Sequence, residues 1–487
     1  MGGEQKISRL EEQRQRKLEQ MRQLGIDPYG GRFDGAQSTA EIRAGYKEGD
    51  DSERPAQRGR CAGRIVLLRD IGKLIFITLR DWTGTIQLGL SNKLLGEKWP
   101  LARLFELGDI IGAEGQLGRT RTGELTIWVD QVTVLSKSLL QPPEKFHGLA
   151  DVDLRYRQRY VDLWANPEVM ERFKNRSAII SSIRQFLNER GFLEVETPMM
   201  QSVAGGAAAK PFVTHHNSLD MDLYLRIAPE LFLKRLLVGG MEKVFEINRN
   251  FRNEGLSRRH NPEFTMMEIY QAYADYSVMM DLTEELISAL VGQYCDGNKV
   301  EFDGHQIDLG GPWRRANYAE LLKEYSGSAI DDITAVRAKA RQLGLDEPNM
   351  DDAVVINEVF EETVEAKLLN PTFVIDYPAV LCPLTKRKCD NPQYAERFEL
   401  YIGQMEIANA YTELNDPAVQ EENFRIQLRG QAETMATMDE DFITALKYGM
   451  PPAGGLGIGV DRLLMVLTGA SSIRDVVLFP LLKPTKD

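Results

Sequence analysis

Hydrophobic and polar residues alternate along two neighbouring segments in the middle of the chain. In KVFEINRNFR (243–252) the apolar positions share one side and most polar positions share the other, and 264–273 alternates in the same way. The ten residues between them (253–262) are rich in Arg, Asn, Gly and Ser and end in Asn-Pro. The pattern predicts a long antiparallel β-hairpin with one buried face and one polar face.

The polar side of this hairpin mixes charged and aromatic residues. It carries Arg252, Glu254, Arg258, Arg259, His260, Phe264, Glu268 and Tyr270. A solvated sheet face is the usual interpretation of charged strands, but such faces rarely combine a fixed Arg, paired acids and exposed rings. An Arg fork suits phosphate or carboxylate, a Phe ring suits a stacked base, and Glu suits an ammonium group. The mixture favours a ligand-binding face.

Shorter strand patterns precede the hairpin. Residues 59–136 contain about five strand signals, with a short helix at about 92–104 after the third. Three strands, a helix and two strands fit an OB-fold, whose open face commonly holds single-stranded nucleic acid. A small barrel that serves as a spacer is the alternative. Before it, 5–24 has the pattern of a charged helix, and 27–54 that of a linker.

Two later segments carry candidate chemistry. Residues 397–416 predict two strands that turn near Gly403 and place Glu406 across from Tyr401, one diagonal step from Glu399. Two carboxylates this close repel unless a cation lies between them, so this is either a cation site or an exposed acidic edge. In a regular strand, residues 409, 411 and 413 point to one side and Glu406 points to the other. A β-bulge is needed to bring Glu406 and these three residues to the same side.

The glycine-rich segment 454–468 predicts a strand that runs into a helix. Position 460 is Val where a dinucleotide fingerprint needs a third Gly, and the chain has no GxxxxGK(S/T) P-loop. Neither common phosphate-binding motif therefore explains this segment.

Composition sets broad limits. The 487 residues suffice for two or three domains, and 43% hydrophobic with 27% charged residues is typical of a globular protein. The four scattered cysteines indicate reduced thiols in a cytoplasmic protein, and no apolar run is long enough to span a membrane. A net charge of −13 argues against a nucleic-acid partner unless basic residues are confined to a local patch.

Three segments carry a family resemblance. FRNEG (251–255) followed by RHNPEFTMMEIYQAYADY resembles motif 2 of class II aminoacyl-tRNA synthetases, in the form found in lysyl-tRNA synthetases. GFLEVETPMM (191–200) resembles their motif 1, and GLGIGVDRLLMVLTG (455–469) their motif 3. The three occur in family order, and the resemblance extends from about residue 60 to the C-terminus.

The resemblance implies an α+β protein: an N-terminal β-barrel (OB-fold) and a C-terminal class II synthetase domain, an antiparallel sheet flanked by helices. The expected boundaries are 1–55 for the charged helix and linker, 56–140 for the OB-fold, 141–165 for a connector and 166–487 for the catalytic domain. Within the last, motif 1 lies near 185–200, motif 2 near 243–273, a helical insertion near 281–371 and motif 3 near 454–468.

The resemblance also implies roles for individual residues. ATP would be bound by Arg252, Glu254, His260, Asn261, Phe264, Glu399 and Arg462, with Arg252 and Arg462 catalytic. Lysine would be bound by Gly205, Gly206, Glu230, Glu268, Tyr270, Asn409, Tyr411 and Glu413. Glu399 and Glu406 would hold Mg²⁺, with more than one ion per active site, and Phe76, Gln87 and Glu124 would contact the tRNA anticodon.

The implied reaction activates L-lysine with ATP to give lysyl-adenylate and transfers the lysyl group to the 3′-terminal ribose of the tRNA for lysine. The resemblance also implies a cytoplasmic homodimer with no membrane partner. The helix after Pro167 and the strand that ends at Pro198 would form the dimer interface, and Val380 departs from the family, which usually carries Glu there. An aspartyl- or asparaginyl-tRNA synthetase shares the layout but needs a basic or amide pocket. A non-catalytic RNA- or partner-binding paralogue and a ligase that lysylates a protein are more distant alternatives.

Overall fold

The computed structural model describes residues 8–48, 57–140, 149–207, 209–345, 350–430 and 438–485. The chain divides into two compact units, Met1–Ala150 and Asp151–Asp487. Each unit has its own hydrophobic core.

The N-terminal unit is built on a closed five-stranded barrel. In chain order its elements are α1 (Arg9–Gln23), α2 (Thr39–Gly45), β1 (Arg58–Asp70), β2 (Leu74–Arg80), β3 (Thr85–Ser91), α3 (Asn92–Leu95), α4 (Trp99–Ala102), β4 (Ile110–Arg119) and β5 (Leu125–Ser136). The strand order is β1-β2-β3-β5-β4, and the barrel closes because β1 pairs with both β2 and β4. The barrel confirms the predicted OB-fold.

The segments before the barrel pack against it. Met21 of α1 is fully buried in the barrel core, and Arg14 donates hydrogen bonds to the backbone oxygens of Ser138 and Leu107, each at 3.0 Å. The stretch predicted to be a linker contains α2, whose Ile42 also enters the core. A helix of seven residues is too short to show a clear helical period in the sequence.

The C-terminal unit is organised around an eight-stranded sheet. In chain order its elements are α5 (Val152–Arg157), α6 (Arg159–Ala165), α7 (Pro167–Glu189), β6 (Leu193–Glu194), β7 (Met200–Gln201), β8 (Val213–His216), β9 (Met221–Leu225), α8 (Glu230–Val238), β10 (Lys243–Phe251), β11 (Glu263–Ala272), α9 (Tyr276–Tyr294), β12 (Lys299–Phe302), β13 (His305–Asp308), β14 (Arg314–Asn317), α10 (Tyr318–Ser326), α11 (Ile333–Leu343), α12 (Asp352–Val364), β15 (Thr372–Pro378), β16 (Tyr394–Tyr401), β17 (Glu406–Thr412), α13 (Pro417–Gly430), α14 (Glu440–Lys447), β18 (Ala453–Gly459), α15 (Val460–Thr468) and α16 (Ile473–Val476). The sheet order is β14-β15-β16-β17-β18-β11-β10-β6. Its pairs are antiparallel except at the two edges, where β14–β15 and β10–β6 are parallel.

The predicted hairpin lies within this sheet. Strands β10 and β11 pair antiparallel, with Glu246 opposite Glu268 and Asn250 opposite Phe264. Phe245 is fully buried in the main core, which also contains residues of α7, α9 and α15. The opposite face is covered in part by α8 and α14, so its acids are buried as well.

The region 281–371 differs from the expected helical insertion. It contains α10, α11 and α12, but also the hairpin β12–β13 and the edge strand β14 of the main sheet. Each of these strands has four residues, which is too short for an alternating pattern to be recognised.

Candidate active site

A pocket of about 150 Å³ lies where the β10–β11 hairpin, β17 and the β18–α15 junction meet. Its lining includes Arg252, Glu254, His260, Asn261, Phe264, Glu406, Asn409 and Arg462. All the residues predicted to bind ATP therefore line one pocket, except Glu399.

Arg252 is held at the start of the hairpin loop. Its backbone N–H donates to the backbone oxygen of Pro262 at 2.9 Å, and its guanidinium carbon lies 5.2 Å from the centre of the Phe264 ring. The Nε of Arg252 is buried and has no acceptor within the described part of the chain. The pocket thus contains a fixed cation with a spare donor beside an aromatic ring, which suits phosphate and a base.

Arg462 connects α15 to the hairpin loop and to β17. It donates to the Glu406 backbone oxygen at 2.9 Å and to Glu406 Oε2 at 3.1 Å, and its Nη2 lies 2.9 Å from His260 Nε2. Burial and the neighbouring Arg462 hold the pKa of His260 below its ordinary value. A neutral His260 can accept a hydrogen bond from Arg462 at Nε2.

A β-bulge in β17 resolves the parity conflict in the sequence. Leu400 pairs with Ala408 whereas Tyr401 pairs with Glu406, so Ile407 is the extra residue. As a result Asn409 donates to Glu406 Oε1 at 3.0 Å. The bulge brings Glu406 to the side that carries the other predicted ligand-binding residues of β17.

Glu399 lies opposite Asn409 on the neighbouring strand. Its carboxylate pairs with Arg397 and accepts hydrogen bonds from the hydroxyls of Tyr377 and Tyr401, each at 2.7 Å. Among the residues described, no three His, Cys, Asp or Glu side chains are grouped so that they could hold a metal ion.

Two acids that the sequence did not suggest come from the helical side. Glu365 accepts a hydrogen bond from the Tyr401 hydroxyl at 2.8 Å, and burial raises its pKa to about 7, with contributions from Glu361, Glu399 and Glu406. Burial also raises the pKa of Glu361. Residues 281–371 carry no recognisable motif, so no signal in the sequence connects these acids to β16 and β17.

The acids predicted to bind lysine are buried on the same sheet. Glu268 is 4% exposed and accepts a hydrogen bond from the Tyr270 hydroxyl at 3.0 Å. Burial, reinforced by Glu230, raises the pKa of Glu268 to about 8. Glu413 is fully buried, and burial raises its pKa to about 8 although Lys234 acts in the opposite direction.

Glycines make room for these acids. A Cβ at Gly455 would overlap Glu413 Oε1 and lie 2.6 Å from Cε1 of Tyr270, so any other residue there would displace one of them. Gly206, which has φ +86°, lies close to the side chain of Glu230 at the start of α8. The remaining predicted residues are placed nearby: Tyr411 is opposite Gly455 on β18, and Gly205 contacts the side of Leu231.

Lys234 was not predicted from the sequence. Its fully buried Nζ lies 2.7 Å from Glu230 Oε1 and also pairs with Glu413 Oε2. Burial alone would lower the pKa of Lys234, but the two carboxylates outweigh it and raise the pKa. The only indication in the sequence was that Lys234 follows Glu230 by four residues on a helix. A Glu–Lys pair at this spacing is more often exposed to solvent on a helix surface.

The residues predicted to contact an anticodon lie on the barrel. Phe76 on β2 and Gln87 on β3 occupy half-buried positions that alternate with core residues, and Gln87 donates to the Thr126 hydroxyl at 3.0 Å. Glu124 is exposed and pairs with Arg43 at 2.9 Å. The ring centres of Phe76 and Trp128 are 6.1 Å apart, which adds an aromatic residue that the sequence reasoning missed. The only indication in the sequence was that Trp128 follows Glu124 by four residues, which places both on the same side of an extended strand.

Two further observations concern the wider chain. Val380, the departure from the family pattern, is 66% exposed and is absent from the lining of the pocket described above. Within the described ranges, none of the helices combines the length and apolar character needed to cross a membrane.

Comparison with known proteins identifies the family. A model described as class II tRNA synthetases (D, K and N) matches residues 151–483, and one described as an OB-fold nucleic acid binding domain matches residues 60–135. The lysine–tRNA ligase of Pelotomaculum thermopropionicum is 53% identical over 494 residues, covering 99% of this chain and 96% of the relative. Those of Carboxydothermus hydrogenoformans and Magnetococcus marinus are each 52% identical; the former covers 99% of both chains, the latter 96% of this chain and 95% of the relative.

The chain belongs to the lysine–tRNA ligase family. This confirms the family and the two-domain fold that the three motifs predicted. The family model covers the synthetases for aspartate (D), lysine (K) and asparagine (N) alike. The three relatives above are all lysine–tRNA ligases, and each aligns with this chain over nearly its whole length. The aspartyl and asparaginyl alternatives are therefore set aside.

Proposed function

We propose that this chain activates L-lysine with ATP to give lysyl-adenylate, and then transfers the lysyl group to the 3′-terminal ribose of the tRNA for lysine. The observation that carries the proposal is the combination of an arginine-lined pocket with three buried carboxylates, those of Glu230, Glu268 and Glu413; Glu268 lies opposite Gly457, which lines the pocket. Anions of ATP fit the first region, and the two ammonium groups of lysine fit the second.

In the first step an oxygen of the lysine carboxylate attacks the α-phosphorus of ATP, and the bond to the β-phosphate oxygen breaks to release diphosphate. The carboxylate is already ionised near pH 7, so no general base is required. Arg252 would bind the α-phosphate, Phe264 would stack on adenine, and Arg462 would bind the terminal phosphates. Glu254, His260 and Asn261 complete the nucleotide site in this proposal. Catalysis would then rest on positioning and charge stabilisation.

We propose that Glu399 and Glu406 hold Mg²⁺, with more than one ion per active site. Mg²⁺ commonly takes only one or two protein carboxylates and completes its coordination with phosphates and water. Glu399 on β16 and Glu406 on β17 are two acids on neighbouring strands, which fit such a site. When bound, the ions would neutralise charge on the phosphates.

Lysine would lie over the buried acids. Glu230 and Glu268, with the Gly205–Gly206 backbone, suit the α-ammonium, and Asn409 suits the carboxylate. Glu413 and Tyr270 suit the side-chain ammonium, with Tyr411 alongside. A buried carboxylate without a cation carries a large desolvation cost, so these acids favour a dicationic ligand over aspartate or asparagine.

In the second step a terminal ribose hydroxyl of the tRNA attacks the carbonyl carbon of lysyl-adenylate, and AMP leaves. Phe76, Gln87 and Glu124 on the barrel would select the tRNA through its anticodon. An aromatic ring can stack on a base, while amide and carboxylate groups can hydrogen-bond a base edge. The neighbouring Trp128 supports this assignment by widening the aromatic surface.

We further propose that the protein is a cytoplasmic homodimer. Leu193 on the edge strand β6 and Met200 on β7 are 54% and 57% exposed, which supports a partner surface there. All four cysteines are free thiols, as is usual in the cytoplasm. Sedimentation at micromolar concentration tests the dimer, and a single species at the monomer mass would contradict it.

The direct test of the whole function is charging. Purified protein, ATP and Mg²⁺ should esterify the tRNA for lysine with labelled lysine, and should leave the tRNAs for aspartate and asparagine uncharged with their own amino acids. Absence of lysyl-tRNA under conditions in which the protein binds ATP would refute the proposal.

A further inference from the structure

The buried lysine of α8 has no part in the reaction just proposed. Lys234 and its partner Glu413 are fully buried, and its second partner, Glu230, is almost fully buried. Placing an ammonium group in the interior is costly unless it is paired with an opposite charge. Its ion pairs with two acids of the proposed amino-acid site call for a role connected with that site.

The two oxygens of Glu413 are in different environments. Oε2 pairs with Lys234 Nζ, whereas Oε1 lies over Gly455 beside the Tyr270 ring and has no hydrogen-bond donor among the described residues. Lys234 therefore contacts one oxygen of the carboxylate and leaves the other, which is buried, without a hydrogen bond. The same Nζ is 2.7 Å from Glu230 Oε1, so it fixes the two acids relative to each other.

The charges around this point also match lysine. Three buried acids lie in this region: Glu230 and Glu413 contact the internal cation Lys234, whereas Glu268 accepts a hydrogen bond from Tyr270. One cation compensates one acid and leaves charge for the two ammonium groups of a bound lysine. An uncompensated third carboxylate in a closed pocket would instead take up a proton.

We propose that Lys234 is a positioning residue that favours the carboxylate form of Glu413, fixes it relative to Glu230, and directs its other oxygen at the side-chain ammonium of the substrate. This inference rests on the proposed function, since it takes Glu413 to be the specificity acid. Lys234 would not contact lysine itself, but would act through Glu413.

Every titratable group around Glu413 bears on the expected pH dependence. Lys234 and Glu230 face it from α8, Tyr270 and Glu268 come from β11, and β18 contributes only the Gly455 backbone. Lys234 is the one cation of this set and lowers the pKa of Glu413, whereas Glu230 raises it. Without Lys234 the carboxyl should remain protonated to higher pH, and a neutral acid binds an ammonium group poorly.

The test compares Lys234→Met with the parent in lysine-dependent ATP–diphosphate exchange, with kcat/KM for lysine measured against pH. We expect kcat/KM for lysine at pH 7 to fall about tenfold or more. If the pKa of Glu413 rises by about one unit in the variant, about a tenth as much of Glu413 is in the carboxylate form at that pH. The variant should recover as the pH rises, so its pH profile moves upward. The KM for ATP and kcat at saturating lysine should stay within a few-fold.

Two further variants keep the test decisive. Lys234→Gln can donate a hydrogen bond to Glu413 and serves if the methionine variant does not fold; it should show the same upward shift. Lys234→Arg restores the charge and should return the profile towards that of the parent. Lys447→Met, which removes an exposed lysine of α14, is the matched control and should change nothing.

The outcomes separate the two proposals. An unchanged pH profile in both neutral variants, or a loss of ATP and lysine affinity together with a lower melting temperature, would overturn the role of Lys234. In either case lysine activation by the parent would leave the proposed function standing. If the parent fails to activate lysine, the proposed function fails first.

Discussion

The guanidinium of Arg462 donates hydrogen bonds to both the backbone oxygen and the carboxylate of Glu406, at 2.9 and 3.1 Å. This contact joins the first turn of α15 to the bulge in β17. It holds a proposed phosphate-binding arginine and a proposed metal ligand in fixed positions relative to each other. Preorganised charges of this kind need little rearrangement at the moment of reaction.

Arg252→Ala is expected to abolish adenylate formation without unfolding the protein. Arg252 places a guanidinium with an unused Nε in the nucleotide pocket, and removing such a donor costs at least about 10²–10³-fold in rate. ATP–diphosphate exchange measures the loss. Arg249→Ala is the matched control, because Arg249 lies on β10 three residues before Arg252 and, among the described residues, its side chain forms one ion pair, with Glu263 at 3.6 Å. Near-normal exchange by a correctly folded Arg252→Ala protein would contradict the assignment.

Glu399→Gln combined with Glu406→Gln should raise the Mg²⁺ concentration needed for half-maximal rate several-fold or more. Amides are weaker ligands than carboxylates for this hard cation. A Mg²⁺ titration of the exchange reaction checks it, with melting temperature as the control because Glu406 also anchors Arg462. A titration curve that coincides with that of the parent would remove both acids from the metal site.

Phe76→Ala should affect only the tRNA-dependent step. Base stacking is worth roughly 1–3 kcal/mol per base, so charging efficiency should fall by about one to two orders of magnitude. Exchange without tRNA should be unaltered, because Phe76 belongs to the other compact unit of the chain. Loss of both activities together would indicate that Phe76 supports the barrel rather than contacting the anticodon.

Glu413→Gln keeps the size of the side chain and removes its charge. Breaking a buried ion pair costs about 3–5 kcal/mol, so kcat/KM for lysine should fall by roughly 10²–10³-fold or more, while ATP affinity should barely change. Because Lys234 also loses a partner, the melting temperature must be followed in parallel. A folded variant that activates lysine within a few-fold of the parent would refute the assignment of Glu413.

Much of this site could be predicted from the sequence, because its elements have clear local patterns. The alternation of apolar and polar residues predicted the β10–β11 hairpin that carries Phe264. The glycine-rich segment 454–468 predicted the strand and the helix that meet near Arg462. The bulge at Ile407 could only be stated as a requirement, since one extra residue in a strand has no local signature. Lys234 was missed because burial of a helical lysine is decided by tertiary packing, and its pattern matches that of a surface pair.

Lysine selectivity is the central claim, and amino-acid activation tests it most directly. ATP–diphosphate exchange should be measured with purified protein and each of the twenty amino acids in turn, at equal concentration and saturating ATP and Mg²⁺. The buried acids Glu230, Glu268 and Glu413 predict exchange with lysine far above that with any other amino acid. Exchange that depended on aspartate or asparagine instead would contradict the account of the pocket.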